Sequence, residues 1–236
     1  MITASANESE APLTARVPSI QSRAAATPTA LGVFVVGMHR SGTSATTRML
    51  NLLGLPLCRD DDLVQDSVGN PSGHWESASL VQFNDRLLWT IGASWWCPQR
   101  PNATWVGEPL VAPALRAAPT IFAAGHAGPQ WAWKDPRTSL TLPFWLTALD
   151  VKPLVVLCTR NPLEVAHSLR TRNAMEKPLS LALWERYTHT IVNAIDGLPV
   201  LVTRYEDLMR DPDFTRAVKS IAQECKVNVG VAKLLC

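Results

Sequence analysis

The chain has 236 residues, 47% of them hydrophobic and 18% charged, and a formal net charge of +2. That length and balance suit one globular domain with a substantial core, and so small a net charge gives no general electrostatic pull towards nucleic acid. No stretch approaches the roughly 20 apolar residues of a membrane helix, so a spanning segment is excluded.

In chain order, the first 30 residues are rich in Ala, Ser, Thr and Pro and lack the apolar core of a secretory signal; they are expected to be a disordered leader, with one domain over 31–236. The strand pattern GVFVVG then runs into Gly37-Met38-His39-Arg40-Ser41-Gly42-Thr43-Ser44. This is phosphate-loop spacing, G-x-x-x-x-G-K-[ST], with Thr43 where the lysine belongs. Such a loop turns successive N–H groups towards an anion and delivers it to a helix N-terminus, while the missing lysine removes the usual handling of a triphosphate. The helix is expected over 43–53, with Met49, Leu50, Leu52 and Leu53 closing one face.

An acidic stretch, 59–66, leads to Asn70-Pro71-Ser72-Gly73-His74-Trp75-Glu76 and a helical pattern over 77–91. Pro98, Pro101, Pro109 and Pro113 mark a loop-rich excursion, with a helix over 109–124. Strand patterns WAWK at 131–134, PLVVLCT at 153–159 and PVLVT at 199–203 alternate with helical patterns over 138–149, 162–174 and 179–196. Short apolar strands separated by helices predict an α/β fold, phosphate-loop-like, with three layers and a central parallel sheet flanked by helices. Five cysteines, an odd number without C-x-x-C or His at ligand spacing, indicate a reduced, cytoplasmic protein with no metal site, Cys158 being a core residue.

In such a sheet, ligands gather beyond the carboxyl ends of the strands. The first strand ends in the glycine loop, the second in Lys134-Asp135-Pro136-Arg137, the third in Arg160-Asn161-Pro162 and the fourth in Arg204-Tyr205-Glu206-Asp207. One edge would thus gather Arg40, Lys134, Arg137, Arg160 and Arg204, a set suited to a polyanion. Pro162 sits where a helix tolerates proline, in its first turn, and Ser168 follows two turns later. The Arg160 guanidinium and the Ser168 hydroxyl make a receptor for a second, separate phosphate.

These segments resemble the sulfotransferases that use 3′-phosphoadenosine 5′-phosphosulfate, in particular bacterial members and the Golgi protein-tyrosine sulfotransferases. GMHRSGTS resembles their 5′-phosphosulfate loop, RNPLEVAHS their 3′-phosphate motif, TRYEDLMRDP their Tyr-Glu-Asp segment and WKDPR their Lys-Asp-Pro turn, in the family's order over about 32–212. The resemblance implies that Arg40, Ser41, Gly42, Thr43 and Ser44 hold the 5′-phosphosulfate and that Arg160 and Ser168 hold the 3′-phosphate. Tyr205 would lie near the adenine or support the sheet edge. Lys134 and Arg40 would stabilise charge on the leaving oxygen. Glu76 is similar in role and order to the family's catalytic glutamate, with His74 second as base; the structural alternative for Glu76 is an acid complementing the dipole of the next helix.

Further expectations are less specific. His39 lies in the glycine loop, and Trp75, Trp95 and Trp96 fall in segments expected around the acceptor, while His126, His167 and His189 form no cluster. The acceptor would be a small-molecule, carbohydrate or peptide hydroxyl, and nucleic acid is not an expected partner. Many members close the donor pocket with a C-terminal Arg-Lys-Gly loop, which the ending AQECKVNVGVAKLLC lacks. Two other readings stay open: a small-molecule kinase using ATP, against which Thr43 argues, and a non-catalytic nucleotide-binding module.

Overall fold

A computed structural model describes residues 30–64, 73–99 and 103–210. Most of the expected leader and the C-terminal segment from 211 onward lie outside the described residues. Among those described, four strands form one parallel sheet: β1 (Leu31–Val36), β2 (Gln130–Lys134), β3 (Lys152–Thr159) and β4 (Val200–Arg204), in the spatial order β2-β1-β3-β4. The helices between them are α1 (Thr43–Leu52), α2 (Ala78–Thr90), α3 (Ala112–Gly125), α4 (Thr138–Ala148), α5 (Pro162–Asn173) and α6 (Lys177–Ala194), with the single turn α7 (Tyr205–Leu208) after β4. This is the expected α/β fold. No helix among the described residues is long and apolar enough to cross a membrane.

The strands form where the apolar runs lie because the sheet is covered on both faces, so no polar alternation is needed. Phe34, Val36, Trp131, Trp133, Val155 and Leu157 point into one core with Phe122, Phe144 and Trp145. Val33, Val35, Leu154, Val156 and Cys158 point the other way and pack with Leu50 and Leu55. The chain leaves β1 for β2 on one side and returns to β3 on the other, so the strand order reverses at β1. The crevice between the carboxyl ends of β1 and β3 is therefore the topological switch point, where open α/β sheets place ligands.

One face assignment and two helix starts differ from expectation. Leu52 does not share the buried face of α1: it is 53% exposed, while Met49, Leu50 and Leu53 are buried, because the helical repeat rotates position 52 out of that stripe. The third helix starts at Ala112 rather than 109, since the chain is still turning through Glu108 and Pro109, and Pro113 is admitted in the first turn. The sixth starts at Lys177, with Pro178 again in its first turn.

Candidate functional site

The loop after β1 runs so close to β3 that a Cβ on Gly37 would lie 2.4 Å from the Cys158 carbonyl oxygen, and φ there is +144°. Only glycine fits. Ser139, in the first turn of α4, fixes this point from the other side: its hydroxyl accepts from the Gly37 amide at 2.9 Å and donates to the Gly37 carbonyl at 3.2 Å. Arg40 takes a left-handed turn at φ 71°, the Ser41 amide donates to the Met38 carbonyl at 3.1 Å, and Gly42, at φ 91°, precedes α1. α1 has no side-chain cap and no acidic residue in its first turn. The Ser41 hydroxyl is buried without a hydrogen-bond partner among the described residues, which leaves a donor at a helix end whose dipole favours an anion.

Arg40 ties this loop to the turn after β3. Its Nε donates to Ser168 Oγ at 2.8 Å, and its carbonyl accepts from Arg160 Nη1 at 3.1 Å. Arg160 also donates to Glu164 at 2.9 Å, and its guanidinium lies 3.9 Å from the centroid of the Tyr205 ring. Tyr205 in turn packs on Gly42, where a Cβ would lie 2.7 Å from Tyr205 Cδ2. Asn161 caps α5 with its side chain and donates its amide to Glu206 at 3.0 Å. Ser168, on the second turn of α5, thus faces back to Arg160 across a cavity of about 760 Å³ that Arg40, His167, Thr171 and Arg172 also line. Burial, then the charges of Arg172 and Arg160, hold Arg40 below its usual pKa. Like charges crowd here.

The lysine missing from the loop is supplied by the neighbouring strand. Lys134 ends β2, is 1% exposed, donates to Ser44 Oγ at 3.2 Å and forms a buried ion pair with Glu76. Ser44 Oγ reaches the His74 carbonyl at 3.3 Å, so Lys134, Ser44, His74 and Glu76 adjoin one another at the start of α1. Burial depresses the His74 pKa against the opposing charge of Glu76, and Lys134, Arg172 and Arg40 depress it further. The groups bonded to the start of α2 are others: Ser77 caps that helix, and Asp62 accepts from the Ser79 amide at 2.9 Å. The Glu76 carboxylate is committed to Lys134.

Other expected members of the site fall elsewhere. Arg137 is compensated within the protein, pairing with Asp135 at 3.1 Å and Asp85 at 2.6 Å. Burial works against its charge, and these two carboxylates outweigh burial and hold its pKa high. Arg204 is exposed and does not line the cavity. The His39 ring packs 4.7 Å from Trp95 and 5.8 Å from Tyr187, with Nε2 buried and without a hydrogen-bond partner among the described residues; burial first, then Arg137, Lys134, Arg172 and Arg40, hold its pKa well below the usual histidine value. Trp96 is exposed, and the face of Trp75 is taken by Arg48.

Sequence reasoning missed Asn84, which is fully buried and saturated: Nδ2 donates to Asp135 at 2.9 Å, and Oδ1 accepts from Thr141 and Trp145, each at 2.9 Å. It also missed Ser139, Asp62 and Arg172, whose residue types at helix ends and on a helix surface carry no local signal.

The sulfotransferase family model matches residues 32–228. Among curated proteins none matches significantly. Of solved structures, the sulfotransferase domain from the Synechococcus PCC 7002 olefin synthase has a TM-score of 0.51 at 19% identity, over 91% of this chain and 80% of that one. The sulfotransferase domain from the curacin biosynthetic pathway has a TM-score of 0.48 at 14% identity, over 86% and 76%.

Proposed function

Because the chain belongs to the sulfotransferase family, we propose that it moves the sulfuryl group of 3′-phosphoadenosine 5′-phosphosulfate to an acceptor hydroxyl by in-line displacement, with Glu76 as base. The observation that carries this reading is the coupling of two separate cationic receptors through Arg40, which touches both Ser168 and Arg160, beside the buried Lys134–Glu76 pair. A triphosphate needs one such receptor. A nucleotide phosphorylated at both 3′ and 5′ ends needs two.

The residues fit the donor. The unpartnered Ser41 hydroxyl and the N–H groups at the start of α1 would hold the 5′ end, with Thr43 and Ser44, while Gly42 keeps the loop open. Arg160 and Ser168 would hold the 3′-phosphate on the cavity wall, and Tyr205 orients the Arg160 guanidinium. The bound donor supplies a sulfuryl group on a phosphate leaving group. Lys134 and Arg40 stabilise the charge that develops on the leaving oxygen, a contact of the kind whose removal costs roughly 10²–10³ in rate. Glu76, freed from Lys134 as that ammonium turns to the leaving group, takes the acceptor proton, and His74 lies beside it as the second candidate. The acceptor is a small-molecule, carbohydrate or peptide hydroxyl.

The test has two parts. Adenosine 3′,5′-bisphosphate at 100 times its Kd should stabilise the protein by about 2.7 kcal/mol, with little effect of ATP; equal shifts with both nucleotides would overturn the donor assignment. Glu76→Gln should retain that shift and lose turnover of the sulfate donor against pooled hydroxyl acceptors. Full turnover in Glu76→Gln would move the base to His74.

A further inference from the structure

Trp75 stands between the two residues offered as base, and its backbone is the most constrained in that segment. Its φ is +58°, a left-handed conformation that bulky side chains rarely adopt. Such a backbone persists where surrounding contacts over-determine it. Three anchors do so here. The Trp75 ring lies under the Arg48 guanidinium, 4.5 Å from the ring centroid, and Arg48 is itself steadied by donation from Nη1 to Asn51 Oδ1 at 2.7 Å. Ser44 donates to the His74 carbonyl at 3.3 Å. On the far side, the Val64 amide donates to the Glu76 carbonyl at 2.8 Å, and Leu63 bridges to Ser77.

Ser44 and Arg48 are both on α1, four residues apart and therefore on one face. One helix face thus grips consecutive residues of one extended segment, at the His74 carbonyl and at the Trp75 ring. The left-handed turn sends the neighbouring side chains apart: the ring goes out to Arg48 and the wall of a second cavity, of about 350 Å³, and the carboxylate goes in to Lys134. The indole face under Arg48 is therefore spent on the protein itself.

We propose that Arg48 and Trp75 form a clamp that positions Glu76 and His74 against Lys134, so that α1, whose first turn receives the donor, also sets the geometry of the base. The clamp rests on the reading of Glu76 as base for its catalytic meaning, though not for its existence. Both are positioning residues; neither touches the reacting atoms. Without the clamp nothing holds the turn at Trp75 against α1, the 73–76 segment rotates towards solvent, and His74 leaves the charges that face it, Glu76, Lys134, Arg172 and Arg40.

The experiment follows the His74 imidazole by NMR titration in the full chain, as wild type and as Arg48→Ala, Arg48→Lys and Trp75→Gly. Glycine accepts the left-handed backbone and removes only the ring, and Arg48 is exposed, so both sites allow folding. The expected result is a His74 midpoint that rises towards that of an exposed histidine in Arg48→Ala and Trp75→Gly and returns with Arg48→Lys, with adenosine 3′,5′-bisphosphate binding retained. In turnover, kcat should fall roughly 10–100-fold with the donor KM unchanged, the loss expected of a misplaced reacting group. An unmoved His74 midpoint in both variants overturns the clamp, and so does a loss carried by donor binding alone. A shifted midpoint together with full activity of Glu76→Gln keeps the clamp and rejects the base, which separates the two failures.

Discussion

The two cation-rich regions at the carboxyl edge of the sheet handle charge in opposite ways. In the turn after β2, Arg137 meets Asp135 and Asp85, and Asp135 is further held by Asn84, so positive and negative groups close on each other. Around the larger cavity, Arg40, Arg160 and Arg172 share a wall with Glu164, the one carboxylate lining it among the described residues, and Arg40 feels the charges of its neighbours. A compensated arginine is a structural brace. On the proposed function, the arginines around the cavity are completed by an anion from outside. Lys134, compensated by Glu76 yet touching Ser44 at the loop, stands between the two cases.

Lys134→Ala should produce the largest effect because it strikes both kinds of role at once. Removing one partner of a buried ion pair leaves the other charge unpaired and costs about 3–5 kcal/mol, which chemical denaturation would measure. Turnover should fall by a further factor of roughly 10²–10³ in the molecules that remain folded. The double variant Lys134→Met with Glu76→Gln should recover most of the stability, since a pair replaced by neutral groups of similar volume is often neutral in its effect, while activity stays lost. Recovery of activity with stability would show that the pair is only a brace.

The comparison sharpens in a matched pair of variants. Asp135→Ala should cost about 3–5 kcal/mol, because it removes one of the two carboxylates that pair with Arg137 and leaves one donor of Asn84 without its carboxylate in a buried place. Its affinity for adenosine 3′,5′-bisphosphate should stay near that of the wild type. Arg160→Ala should reverse the pattern, with little change in the unfolding midpoint and a loss of about 10–100-fold in affinity, the equivalent of about 1.5–3 kcal/mol for a hydrogen bond to a charged group. Calorimetric binding and thermal unfolding of both proteins decide it. If Asp135→Ala weakens nucleotide binding as much as Arg160→Ala, the division between brace and receptor collapses.

Much of this division was hidden in the sequence, and the reason is distance along the chain. The strands were legible because each is a short apolar run that the sheet buries on both faces, and the loop, Lys134, Arg160 and Tyr205 were legible because each follows such a run directly. Ser168 was within reach because the helical repeat brings it back two turns later. Arg137 looked the same as Lys134, since what distinguishes it is Asp85, 52 residues earlier. Ser139 meets Gly37 across 102 residues, and Asn84 meets Asp135 across 51. Small polar residues near helix starts are usual caps, so nothing local marked these as long-range braces. The acid that accepts from the first turn of α2 is Asp62, arriving from a segment that the pattern of α2 does not contain.

The smallest expected effect tests whether the receptor side carries any bracing of its own. Tyr205 contacts both halves of the receptor: its ring lies under the Arg160 guanidinium and against Gly42. Tyr205→Leu should keep the apolar contact with Gly42 and lose the attraction between cation and ring, worth about 0.5–1 kcal/mol at a partly exposed place. Affinity for adenosine 3′,5′-bisphosphate should then fall about two- to fivefold, within what such an energy allows. Tyr205→Phe retains a ring quadrupole and should bind as the wild type does. A Phe variant as weak as the Leu variant would assign the effect to the phenolic hydroxyl, so that Tyr205 would act on the nucleotide directly, while a drop in unfolding midpoint without a change in affinity would make it a brace like Asp135.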